Sequence, residues 1–283
     1  LEGTVARFFP VIAARNNICV REALNAGMTG DYTSFCMHAP DPTIPENLTS
    51  IFRAMKANDS RLGVAFDGDG DRHVFILRYN NEVRAIDPVL LITLSAMYYE
   101  DPGVFVLDPF VTPAGKAVVS LGHEIARVRR GRPRVIAGIL ELKNQGKRVY
   151  KGMEGSYHGY DDEGFDDGIR QVLEFCQYLM KGIDMEKARE IIGYDYTLEM
   201  RVKCRNDTLF REDVVPVLAR LGRDRGLSVD TTDGVQVKDS FVVRKSYREE
   251  VVSFLFYGKR LTRRDGKRER CNFFSLSGTG RRS

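Results

Sequence analysis

The chain has 283 residues, 43% of them hydrophobic and 29% charged, as in a soluble globular protein with room for two or three cores. Its net charge of +4 is local: residues 259–283 hold nine Lys/Arg, leaving 34 basic against 37 acidic residues elsewhere, which excludes a nucleic-acid-binding surface on the body by charge. Five scattered cysteines without a C-x-x-C pair exclude a disulfide framework and a cysteine zinc site and suit a reducing, cytoplasmic setting, and no apolar run approaches a membrane span.

Residues 4–13 read as a strand interrupted by Pro10, and Ile18 to Ala26 as a helix stopped by Gly27. Tyr32 to Met37 reads as extended. Three prolines at 40, 42 and 45 then forbid regular structure until Pro45, which suits the first position of a helix. Leu48, Ile51, Phe52 and Met55 repeat at helical spacing and mark its buried face.

Next come two apolar runs, Leu62 to Phe66 and Val74 to Leu77, flanking a tip of alternating aspartate and glycine. Short, apolar and bounded by turn residues, the runs read as buried strands. Asp67, Asp69 and Asp71 would converge on so short a loop, and their repulsion would raise their pKa values unless a cation compensates. A hard divalent ion such as Mg²⁺ does so with carboxylate oxygens. A solvated acidic turn is the plainer alternative. An EF-hand is excluded, because Arg72 and Arg78 stand where its glycine and glutamate belong.

Asn80-Asn81 marks a hairpin turn, and Asp87-Pro88 caps and starts a helix carrying Leu90, Leu91, Leu94 and Met97. Glu100 to Gly103 breaks the pattern as a candidate domain boundary. Val104 to Leu107 and a helix from Pro113 to Leu121 open a second strand–helix series, which signals a parallel sheet with crossover helices. Arg127 to Arg134 reads as a basic loop, solvated or in contact with phosphate.

The glycine-rich stretch Lys151 to Tyr160 offers Glu154, Ser156 and His158 at alternate positions, groups suited to sugar hydroxyls and to proton exchange near neutral pH. It is expected as an exposed loop that contributes little to the core. Asp166 and Asp167 open a further helix and are read as caps. The last third alternates short strands (Leu198 to Val202, Leu227 to Thr232, Val235 to Val237) with a helix near Val214 to Leu221. Phe241 to Arg244 and Val251 to Phe256 are expected to pair with each other. From Leu261 the chain is polar and basic and reads as a disordered tail.

Phe66-Asp67-Gly68-Asp69-Gly70-Asp71-Arg72 resembles the metal loop of the α-D-phosphohexomutases, the phosphomannomutase/phosphoglucomutase family. Pro45-Glu46-Asn47-Leu48 resembles the family's lead into the preceding helix, and Glu154, Ser156 and His158 match its G-E-M-S-G-H sugar motif, with Gly164 to Gly168 as its G-F-D-D-G. Met153 and Tyr157 replace that motif's glycines. Arg244-Lys245-Ser246-Tyr247-Arg248 is similar to its R-x-S-N-T-x-P phosphate loop, without the asparagine–threonine pair. Phe110 stands where the family has a lysine, and Arg129 to Arg132 where it has K-T-G-H.

The resemblance implies two mixed or parallel α/β domains followed by an α+β domain with an antiparallel sheet. Their expected bounds are 1–102, 103–193 and 194–260, with 261–283 as the tail. It implies Mg²⁺ on Asp67, Asp69 and Asp71, Arg72 and His158 as catalytic residues, and Glu154, Ser156, Arg244, Ser246 and Arg248 as substrate-binding residues. Hexose phosphate and hexose 1,6-bisphosphate are the implied partners, with no membrane and no nucleic acid. No serine here sits in the family's T-A-S-H-N-P context, so the chain is expected to be a fragment lacking the phosphoserine domain. The alternative is a non-catalytic sugar-phosphate-binding or regulatory relative. An unrelated acidic-loop phosphatase fits less well, since Asp71 stands where its D-x-[TV] motif needs a hydroxyl or branched residue.

Overall fold

The structure is a computed structural model. It describes residues 4–24, 40–182 (less 109, 112 and 113) and 184–192, residues 217 and 220, and the strand segments 196–204, 228–230, 242–244, 251–262 and 268–280. The chain divides into two compact units, Leu1–Ala188 and Arg189–Ser283.

The first unit opens with a helix, α1 (Thr4–Arg15), where the sequence suggests a strand. Val5, Phe9 and Ala13 are buried at steps of four residues, so the helical stripe outweighs the break that Pro10 signals. Asn17 turns left-handed at φ 57° and ends α1, with the Ile18 N–H donating to the Ala13 carbonyl. The helix expected from Ile18 does not form over residues 18–24; its end, and the extended piece at 32–37, fall outside the described residues. A single 3₁₀ turn (Pro45–Leu48), which buries Leu48, leads into α2 (Thr49–Asn58), which buries Met55 and packs the half-buried Ile51 and Phe52 against the same cluster.

Strands β1 (Leu62–Phe66), β2 (His73–Tyr79) and β3 (Glu82–Ala85) form a sheet that is antiparallel throughout, whereas a mixed or parallel one was expected. The physical reason is connection length: links of six residues (67–72) and two residues (80–81) permit hairpins, and a parallel pair needs a crossover. Asn80 and Asn81 both hold positive φ, as the two-residue turn requires. Helix α3 (Pro88–Tyr98) starts as expected, with the Asp87 side chain accepting from the Leu90 N–H at 2.9 Å.

A four-stranded sheet follows in the order β5–β4–β6–β7, built from β4 (Val104–Leu107), β5 (Glu124–Arg127), β6 (Val149–Met153) and β7 (Gly159–Tyr160). Its pairs β4–β5 and β4–β6 are parallel and β6–β7 antiparallel. β4 is apolar at every position because helices α4 (Gly115–Ser120) and α5 (Arg132–Asn144) accompany the crossovers. The expected basic loop at 127–134 is therefore only residues 128–131. Pro133 starts α5, whose Val135 and Ile139 pack with Val106, Val149 and Tyr160. Helix α6 (Gly168–Met180) packs on β2 through a stacked Phe75–Phe175 pair, with ring centroids 4.2 Å apart, and on β6 through the Lys151–Glu174 ion pair at 2.5 Å, and α7 (Met185–Ile192) follows.

In the second unit, β8 (Tyr196–Cys204), β12 (Arg268–Gly280) and β11 (Val251–Thr262) form an antiparallel sheet in the order β11–β12–β8. Among the described residues, β10 (Val242–Arg244) pairs with β9 (Ser228–Asp230) and the expected pairing with β11 is not found, since neighbours in sequence need not be neighbours in a sheet. β12 lies in the stretch that reads from sequence as a disordered tail. Ladder hydrogen bonds join backbone groups, so a polar segment lacking apolar periodicity can still form a strand.

Candidate active site

The aspartate loop links β1 to β2. Asp67, only 2% exposed, organises it: Oδ1 accepts from the N–H groups of Gly70 (3.0 Å) and Arg72 (3.1 Å), and Oδ2 from Arg72 Nε at 2.6 Å. Gly70 holds φ +83°, and a Cβ there would collide with Val5 of α1, so both backbone and space require glycine. The Arg72 guanidinium reaches on to Asp41 Oδ1 at 3.0 Å, and that oxygen also accepts from Thr43 N–H in the proline-rich turn. The turn before α2 thus braces the arginine of the loop.

Arg72 and His158 form an isolated antiparallel bridge between the aspartate loop and the loop after β6. On the second loop, the Glu154 N–H donates to the His158 carbonyl at 3.0 Å. The Gly168 N–H donates to the Gly70 carbonyl at 3.1 Å, so the start of α6 closes on the same place. Asp67, Asp69, Asp71 and Arg72, and more than eighty residues later Glu154, Ser156 and His158, therefore lie on two joined loops. Arg244 ends β10 in the second unit, and Ser246 and Arg248 lie outside the described residues.

Glu154 is not on an exposed loop as expected. It is 3% exposed, its Oε1 accepts from the Gly131 N–H at 2.7 Å, and its Oε2 accepts from the Tyr160 hydroxyl at 2.8 Å. Burial and this carboxylate both push the Tyr160 phenol up. Asp108, fully buried, accepts through Oδ1 from the N–H groups of Phe110, Val111 and Gly155. Asp108, Gly131 and Glu154 follow the carboxyl ends of β4, β5 and β6, the side of a parallel sheet where ligands bind. Phe110 lies against Gly155, and the Arg130 guanidinium sits 4.5 Å above its ring in a cation–π contact.

Two site residues, Asp41 and Asp166, escaped the sequence reading, and Arg132 entered it only as part of a basic loop. Asp167 caps α6 as expected, accepting from the N–H groups of Ile169 and Arg170, but Asp166 turns inward. It is 8% exposed, with Oδ1 2.7 Å from an Arg132 guanidinium nitrogen and Oδ2 3.7 Å from His158 Nδ1. Arg132 also stands 3.6 Å from Asp71 Oδ2. Asp41 and Asp166 have no local pattern to betray them; adjacency of the two loops is the signal.

Asp67, Asp69 and Asp71 bring carboxylate oxygens within 4.8 Å of one another. Burial, with Asp67 and Asp69 adding repulsion, pushes the Asp71 carboxyl up to about 7. A pre-oriented buried carboxylate beside two others is a donor set that fits a hard divalent cation. Burial holds the His158 imidazole below its ordinary value, against the carboxylates around it.

Residues 1–80 match the phosphoglucomutase/phosphomannomutase α/β/α domain II. A phosphomannomutase/phosphoglucomutase of Pseudomonas aeruginosa is 27% identical over 212 residues, which is 72% of this chain and 44% of that protein. This chain is a relative of the phosphohexomutases. A phosphoglucomutase of Neisseria gonorrhoeae is 30% identical over 220 residues, covering 72% of this chain and 45% of that protein. The chain spans about half the length of these curated phosphohexomutases. The fold agrees with a solved phosphoglucomutase/phosphomannomutase family protein from Burkholderia thailandensis, with a TM-score of 0.66 at 19% identity over 99% of this chain and 55% of the other.

Proposed function

We propose that this chain is the metal-holding and sugar-binding part of a phosphohexomutase, which exchanges a phosphoryl group between the 1 and 6 positions of glucose or mannose phosphates through a hexose 1,6-bisphosphate. The bridge between Arg72 and His158 carries this reading, because it holds an aspartate loop suited to Mg²⁺ against a loop of sugar-binding type. The names of the relatives support hexose phosphates as the substrate class.

In this reading Asp67, Asp69 and Asp71 hold Mg²⁺, which when bound neutralises charge on the transferred phosphoryl group. Arg72, braced by Asp67 and Asp41, steadies the phosphate. Ser156 and the fixed carboxylate of Glu154 orient sugar hydroxyls, and His158 exchanges a hydroxyl proton. Arg244, Ser246 and Arg248 contact the distal phosphate. Residues 1–102, 103–193 and 194–260 act as the metal, sugar and phosphate domains in a cytoplasmic protein. A non-catalytic sugar-phosphate-binding relative is the second reading, favoured by the Glu154 carboxylate being already committed to Gly131 and Tyr160.

Calorimetric titration of glucose 1-phosphate and mannose 1-phosphate into the chain with Mg²⁺ tests the binding. At least one sugar phosphate is expected to bind, and more weakly by about tenfold once the metal is removed. Binding of neither sugar phosphate overturns both readings.

A further inference from the structure

The side chains around His158 point to a cation other than the one in the aspartate loop. Asp71 Oδ1 lies 3.5 Å and Asp166 Oδ2 3.7 Å from His158 Nδ1, and each of the three residues offers a ligand atom within 4.8 Å of the other two. These separations are long for hydrogen bonds. They are close to the spacing of about 3.4 Å between donors that share one tetrahedral ion at ~2.1 Å each.

Two further observations favour an ion at their centre. Asp166 is 8% exposed, yet its Oδ2 is buried without a hydrogen-bond partner, and so is His158 Nδ1. Buried polar atoms of this kind call for a ligand. Arg132, meanwhile, engages the outer oxygens, Asp166 Oδ1 at 2.7 Å and Asp71 Oδ2 at 3.6 Å. The inner oxygens, Asp71 Oδ1 and Asp166 Oδ2, are the ones that face the imidazole. An outer partner that orients carboxylates while leaving one oxygen of each turned inward is the usual surround of a metal centre.

We propose that Asp71, His158 and Asp166 form a second metal site, for a first-row transition-metal ion such as Zn²⁺, beside the aspartate loop. One imidazole nitrogen with two carboxylates selects such an ion over Mg²⁺, which prefers oxygen alone. Three protein ligands leave one position open to water or to a substrate oxygen. Asp71 belongs to both donor sets, so its carboxylate links the two sites. The site requires no hexose phosphate, and failure of sugar binding leaves it standing.

Zn²⁺ titrated calorimetrically into the full 283-residue chain in excess Mg²⁺ tests it. One Zn²⁺ per chain is expected, with His158→Ala weakening its affinity at least tenfold while Mg²⁺ affinity stays within about twofold. Asp166→Asn, close in shape, is expected to act likewise and keeps the test alive if His158→Ala fails to fold. Asp69→Asn is expected to do the reverse, weakening Mg²⁺ and sparing Zn²⁺. Zn²⁺ affinity unchanged in both His158→Ala and Asp166→Asn overturns the site. So does Zn²⁺ that Mg²⁺ displaces and Asp69→Asn abolishes, which would put the ion in the aspartate loop.

Discussion

A carboxylate taken out of water is destabilising unless donors replace the water it lost. Glu154 meets that demand through the Gly131 N–H and the Tyr160 hydroxyl, so Glu154→Ala leaves two donors without their acceptor. A loss of roughly 2–4 kcal/mol is expected, read as a lower thermal midpoint, with weaker hexose-phosphate binding alongside it. An unchanged midpoint would mean that the carboxylate does not hold these loops. Asp108 has a different signature. Burial raises its carboxyl from 3.8 to about 7, with Arg130 opposing and Glu154 reinforcing the shift. Between those values the folded chain keeps a proton that the unfolded chain has released, so stability falls from about pH 4 to about pH 7 and is level above. Asp108→Asn keeps the Oδ1 acceptor and should remove that fall, by up to about 4 kcal/mol. Urea unfolding at pH 5 and pH 8 measures it, and identical pH dependence in both proteins would refute it. Asp69 and Asp71 were legible in the sequence because their meaning lies in local spacing. Asp166 was not, because its role depends on Arg132 and His158 arriving from elsewhere, and a cap explains an aspartate at a helix start equally well.

Elements defined by their own termini follow the sequence closely. Asp87-Pro88, Pro45 and Asn80-Asn81 each act within a few residues, and the structure has a capped helix, a helical start and a hairpin turn there. α1 departs because Pro10 carries a strong local signal that tertiary packing overrides. Phe9 meets Phe66 at 5.7 Å, and Val5 covers Gly70, so the helix lies over the end of β1 and the aspartate loop. Pro10 still withholds a hydrogen bond from the middle of α1. Pro10→Ala should therefore stabilise the chain, by up to about 3 kcal/mol, seen as a raised thermal midpoint. A lowered midpoint would show that the proline's shape is needed against the loop. β12 was illegible for another reason. Its pairing with β8 joins segments more than sixty residues apart, and nothing in a polar run announces so distant a ladder.

In the first unit the candidate chemistry gathers where α6 packs on both sheets, at the carboxyl ends of β4, β5 and β6 and the hairpin loop of β1 and β2. Strand–helix alternation made the second sheet legible, whereas the joining of the loops was carried only by their resemblance to one family. With no serine in a phosphoryl-carrying context, the purified chain is expected not to turn over glucose 1-phosphate, even with Mg²⁺ and glucose 1,6-bisphosphate. Robust turnover in a coupled assay would mean that another residue carries the phosphoryl group. The bridge between Arg72 and His158 has a thermodynamic corollary. One ladder rung belongs to both loops, so whatever steadies either loop spares the other part of the entropy of being ordered. A cation among the aspartates and a sugar on the 154–158 loop then favour each other, and the factor by which each tightens its counterpart is one and the same number.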